Sequence, residues 1–145
     1  MKREGNILIE VMASLFILSL IMLFGINTYI YSNKVLKERK LAEEVDRTIY
    51  NLINEVKYNS TMDEMKKLLL NKELGFKFNK NISKELLTKK LENLTKGNDI
   101  KISLIKENNY ELEMQAVVLV ESDNFIISKE KNFSKLWWME YAKEY

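Results

Sequence analysis

The sequence predicts an α+β chain: a long N-terminal helix, its first half transmembrane, packed through its second half on a small antiparallel β-sheet with short helices. Three observations carry that reading. An apolar run from Val11 to Ile26 is interrupted only by Ala13, Ser14, Ser19 and Gly25. A stripe at Leu41, Val45, Ile49, Leu52 and Val56 follows in steps of 4, 4, 3 and 4 residues, which keep one face of a helix apolar. After Gly97 the period falls to two, as in a strand with one buried face.

The first element is the apolar run. Counted from Ile7 to Ile26, about 20 residues at about 1.5 Å each span about 30 Å, the thickness of a bilayer's hydrocarbon core. A secretory signal has a shorter core, about 7–15 residues, and ends in an A-x-A-like site. Gly25-Ile26-Asn27-Thr28-Tyr29 is not one. Tyr29 and Tyr31 fall where an interfacial aromatic belt would sit, and Lys34, Lys37, Arg39 and Lys40 follow. Glu43, Glu44, Arg47, Asn51 and Asn54 lie opposite the apolar stripe. The chain has no proline to kink the helix, so it is expected to run unbroken from about Ile7 to about Tyr58. Asn59-Ser60-Thr61 ends it, and Ser60 or Thr61 can cap a second helix from Met62 to about Lys72.

Residues 73–81 read as a turn-rich link with alternating aromatics and room for a short strand. Ser83 opens a helix through Leu86, Leu87, Lys90, Leu91 and Leu94, with Gly97 closing it. Ile100, Ile102 and Leu104 then alternate with Lys101, Ser103 and Ile105. Asn108-Asn109 is a tight-turn pair, after which Tyr110, Leu112, Met114 and Ala116 alternate with Glu111, Glu113 and Gln115. Val117-Val118-Leu119-Val120 reads as a more buried end, residues 121–124 as a turn, and Phe125-Ile126-Ile127-Ser128 as the return. Three antiparallel strands against the long helix are the expected core. Trp137 and Trp138, near Tyr141 and Tyr145, either cover the sheet or helix or form a stacking platform, and packing is the commoner fate of such aromatics. Glu121 and Asp123 fall short of a calcium loop.

Composition removes several function classes. A formal net charge of +2 on 145 residues gives no basic face for nucleic acid. Without cysteine there is no disulfide framework or thiolate metal site, and without histidine the commonest general base is missing. Only four glycines occur, in no phosphate-cradling pattern. No enzyme, cofactor or metal is expected, and no direct contact with nucleic acid.

Glu10 is the residue that does not fit a plain anchor. A carboxylate within the span costs on the order of 2.5–3.5 kcal/mol even on lenient insertion scales. The stretch Lys2-Arg3-Glu4-Gly5, then Asn6-Ile7-Leu8-Ile9-Glu10-Val11 and the apolar helix, resembles the leader of type IV pilins and type II secretion pseudopilins. The resemblance covers about the first 30 residues. It implies a leader at residues 1–5, cut between Gly5 and Asn6 by a prepilin peptidase, and possible N-methylation of Asn6, where the family commonly has phenylalanine. It implies an assembly helix at 6–31 and a pilin-like head at 32–145. It assigns Glu10 the register role, pairing with the N-terminal amine of the next subunit. The implied partners are other pilin subunits, the prepilin peptidase, an inner-membrane assembly platform and membrane lipid. The expected function is a minor pilin or pseudopilin, a single-pass membrane protein that enters a cell-surface or periplasmic fibre with its head extracytoplasmic. The positive-inside rule, applied to residues 34–40, points the head the other way. The alternative is a single-pass anchored interaction protein with a small extracytoplasmic α+β domain, which leaves the Gly5–Glu10 spacing without a role.

Overall fold

A computed structural model describes residues 2–70, 73–79, 81–122 and 125–141, with side chains from residue 7 onward. The chain is α+β. A single helix, α1 (Lys2–Asn54), opens it, and a π-helical turn at Glu55–Asn59 carries it to Ser60. The helix starts at Lys2, before the expected Ile7, and passes Gly25 without a break. Two compact units divide the chain, residues 1–40 and 41–145.

In the second unit, the helices α2 (Met62–Leu68) and α3 (Ile82–Thr88) accompany four strands. These are β1 (Glu73–Phe76), β2 (Ile100–Glu107), β3 (Glu111–Ser122) and β4 (Phe125–Leu136), antiparallel throughout and ordered β1-β2-β3-β4. Val45, Ile49, Leu52 and Val56 are fully buried, and Leu41 packs beside them, so the helical stripe is the core face of α1. Their partners include Ile100, Ile102, Leu112, Met114, Ala116 and Val118 from the sheet, and Met65 and Leu86 from the short helices. Each of these side chains larger than Ala116 contributes about 1.5–3 kcal/mol on leaving water.

The short elements depart from expectation in instructive ways. Of the two caps the sequence offered, Ser60 and Thr61, it is Thr61 that caps α2, through a reciprocal capping box with Glu64, but α2 ends at Leu68, short of Lys72. Asn71 and Lys72 lie outside the described residues. The helix read through Leu94 stops at Thr88, because Lys89 and Lys90 take extended backbone. Leu91 and Leu94 are still buried, by way of a 3₁₀ turn at Leu91–Asn93. Gly97 therefore caps nothing. Its N–H donates to the Gly75 carbonyl at 3.3 Å, and Lys77 N–H donates to the Thr95 carbonyl at 2.9 Å. A Cβ on Gly97 would stand 2.7 Å from Lys77 Cα, so glycine is what lets these two backbones meet. Residues 95–97 thus lie against the end of β1, and β1 itself, paired antiparallel with β2, is the fourth strand of a sheet where three strands were expected.

The Asn108 turn forms as read, with Asn108 Oδ1 accepting from Tyr110 and Glu111 N–H. Tyr110 sits in that turn and is exposed, outside the inward set. Val117–Val120 does not become a fully buried end: alternation persists, with Val118 buried and Leu119 44% exposed. The turn at Asp123-Asn124 lies outside the described residues. Strand β4 continues eight residues past Ser128, to Leu136.

That extension holds α1 through lysines. Lys129 Nζ meets Asp46 Oδ2 at 3.3 Å, Lys131 Nζ lies 5.2 Å from the Tyr50 ring centroid, and Lys135 Nζ donates to the Lys57 carbonyl at 2.7 Å. Lys135 is fully buried. Burial pushes its amine below the ordinary lysine pKa, against the pull of Glu140 and Glu64. Its ammonium caps the carbonyl end of the long helix, where the helix dipole favours a cation. Five residues on, Glu140 Oε2 accepts from Met62 N–H at 2.9 Å, the first turn of α2. One short C-terminal stretch therefore caps both helices at their corner.

Candidate functional site

The residues to which the sequence assigns function all lie in the first unit, on α1. From Ile7 to Ser32 every side chain is exposed, including Leu8, Phe16, Met22 and Phe24, each with more than half of its surface free. This is the one helix among the described residues long and apolar enough to cross a membrane, and its apolar window has no buried residue. It is compatible with a single-pass membrane anchor. Apolar residues on all sides suit lipid or an apolar bundle and not water.

Polar groups inside the span are answered locally. Ser14 Oγ donates to the Glu10 carbonyl at 2.8 Å, Ser19 Oγ to the Phe16 carbonyl at 2.7 Å, and Thr28 Oγ1 to the Phe24 carbonyl at 2.8 Å. Each hydroxyl returns to a carbonyl three or four residues back, which satisfies its proton without water. The Glu10 carboxylate is exposed, and among the described residues it has no such local donor and no cation pairs with it. It shares a shallow groove on the helix surface with Ile7, Val11, Ser14, Leu15 and Leu18. Gly5 and Asn6 fall within the helical backbone, one turn before Glu10, and their side-chain surroundings lie outside the described residues.

The aromatic pair at the C-terminus is where the packing expectation fails. Trp137 and Trp138 are 53% and 48% exposed, Tyr141 is 55% exposed, and Met139 is the buried residue of their 3₁₀ turn. Trp137 and Tyr141 meet edge to face, with ring centroids 6.4 Å apart. Tyr145 and the Asp123 of the rejected calcium loop lie outside the described residues.

Sequence reasoning missed the Lys135 and Glu140 caps. A lysine in a charged run gives no signal that its amine will be buried, because the carbonyl it reaches is 78 residues away. The hydroxyl bonds of Ser14, Ser19 and Thr28 were passed over as well, although a serine or threonine inside a helix commonly reaches back one turn. No family model matches the chain, and no curated protein or solved structure matches it either.

Proposed function

We propose that the chain is a minor pilin or pseudopilin, an accessory structural subunit of a type IV pilus or a related secretion or DNA-uptake fibre. The observation that carries this reading is Glu10, five residues after Gly5 and the only charged residue between Ile7 and Ser32. A membrane peptidase would cut after Gly5, where glycine weakens the helix by about 1 kcal/mol relative to alanine and lets its first turn open. The amine freed on Asn6 is the new cation that maturation makes. In a bundle of such helices the Glu10 carboxylate of one subunit would meet that amine on the next. Either charge left alone there costs several kcal/mol, so the pair fixes axial register. The folded α+β unit that follows serves as the head, extracytoplasmic in this reading. The assignment as minor rests on the small head, on Asn6 and on the absence of a disulfide loop.

Co-expression with a prepilin peptidase tests the reading directly. Intact mass should show loss of residues 1–5, and Gly5→Leu should leave the full-length precursor in the membrane. Glu10→Val should still be cut and should insert as well as the parent, yet drop out of sheared fibres. An uncut parent chain would overturn the proposal in favour of a plain membrane-anchored interaction protein.

A further inference from the structure

Lys34, Lys37, Arg39 and Lys40 are four basic residues within seven positions, all exposed, just beyond the apolar span of α1. At about 100° per residue they fall near 0°, 300°, 140° and 240° around the helix axis, so the widest gap is about 140°. They form a collar, not a stripe. A protein that docks on one side of a helix is met by basic residues on that side, whereas a bilayer surrounds the helix it holds.

Position agrees with distribution. Tyr31 to Lys34 is about 4.5 Å along the axis and Tyr31 to Lys40 about 13.5 Å, against a headgroup layer of roughly 5–8 Å beyond the hydrocarbon. Helical side chains tilt toward the N-terminus, which here is the membrane end, so the long basic side chains lean back toward the headgroups. Nor are these charges spent within the chain. Lys34, Arg39 and Lys40 each have an acid four residues on, at Glu38, Glu43 and Glu44, the weaker order for a helical pair. None of the ion pairs among the described residues includes them.

We infer that the Lys34–Lys40 collar is a binding surface for anionic phospholipid headgroups, which holds the base of α1 at a fixed depth in the membrane. This requires only that α1 cross a bilayer and is independent of any entry into a fibre. If the prepilin peptidase fails to cut the chain, the lipid preference should stand unchanged.

The test is native mass spectrometry of the full chain, exchanged in mild detergent against equal amounts of phosphatidylglycerol and phosphatidylcholine. The parent should retain phosphatidylglycerol in excess by roughly tenfold at low salt, falling toward parity as about 1 M salt screens the charges. Replacing Lys34, Lys37, Arg39 and Lys40 together by glutamine should bring the ratio to parity without altering the melting of the head. Parity in the parent overturns the inference, as does an excess that survives in the variant. Should the variant not accumulate, the salt series on the parent decides, and an excess that persists at about 1 M salt counts against the collar. A protein that co-purifies with the parent and is lost from the variant, with lipids at parity, would replace lipid by a protein partner.

Discussion

From Ile7 to Ser32 every side chain of α1 is exposed, while later in the same helix Val45, Thr48, Ile49 and Leu52 are almost wholly buried. Backbone conformation does not distinguish the two stretches, and neither does the presence of large apolar residues. The arrangement of those residues around the axis does. In the first stretch they wind round the whole circumference; in the second they keep to one face. Polar groups follow the same division. Ser14, Ser19 and Thr28 bond to their own helix, whereas Thr48 reaches Ser83 at 3.4 Å and Asp46 reaches Lys129 on the sheet. One stretch is complete in itself and awaits a solvent, and the other exists because a sheet lies against it.

The same substitution made in each stretch should break this contrast most sharply. Ile49→Asp, in a chain begun at Val35, places an unpaired charge in a fully buried site and costs about 3–5 kcal/mol or more. A small domain has only about 5–15 kcal/mol to lose, so the cooperative melt by circular dichroism should disappear. Leu15→Asp in the full chain should leave the melt of the head unchanged and instead reduce the membrane-bound fraction. A parent-like melt for Ile49→Asp would remove α1 from the core.

Gly97→Ala comes next, because its Cβ would meet the Lys77 backbone. The expected cost is about 1–3 kcal/mol, read as a drop in Tm of roughly 4–8 °C per kcal/mol. Hydrogen exchange should then quicken in α1 after Leu41 and not in the amides of residues 7–32, and equal quickening in both would join the stretches into one cooperative unit.

Lys135→Met leaves the Lys57 carbonyl without its donor and should cost about 1–3 kcal/mol. This variant also has a pH signature. The fold holds Lys135 below its ordinary 10.5, so the unfolded chain binds that proton more tightly. The parent should gain stability relative to the variant as pH rises through the window below 10.5, where the folded amine has released its proton and the unfolded one has not. Urea midpoints at about pH 7 and about pH 10 measure the difference, and a gap that narrows at the higher pH would contradict a buried ammonium. The smallest effect belongs to Asp46→Ala. Its half-exposed pair with Lys129 should be worth less than about 0.5 kcal/mol and vanish in about 1 M salt, as thermal melts in the two buffers would reveal.

Much of this was legible where one period governs a long segment. The α1 stripe and the inward residues of β2 and β3 could be read because each position repeats the rule of the last. Where tertiary contacts overrule the local pattern, reading failed. Leu87, Leu91 and Leu94 have helical spacing, yet Leu87 is 84% exposed and the chain leaves the helix at Lys89 so that Leu91 and Leu94 reach the core. The second half of β4 hid its alternation because its inward positions include Lys129, Lys131 and Lys135, whose partners lie on α1 and its final turn. For Glu10 the sequence showed a charge in the wrong solvent, and the fold adds that the carboxylate stands exposed with no pair among the described residues.

The caps at the corner of α1 and α2 also impose an order in time. Lys135 and Glu140 each reach back 78 residues, so the corner cannot close until both have left the ribosome. Contacts this distant in sequence form late, after the loop between them has been brought together. A released chain that ends before Lys135 should therefore expose the α1–α2 corner to protease, and one that extends past Tyr141 should protect it. For a chain whose first 40 residues form a unit of their own, that delay leaves the α1–α2 corner open after the first unit has formed.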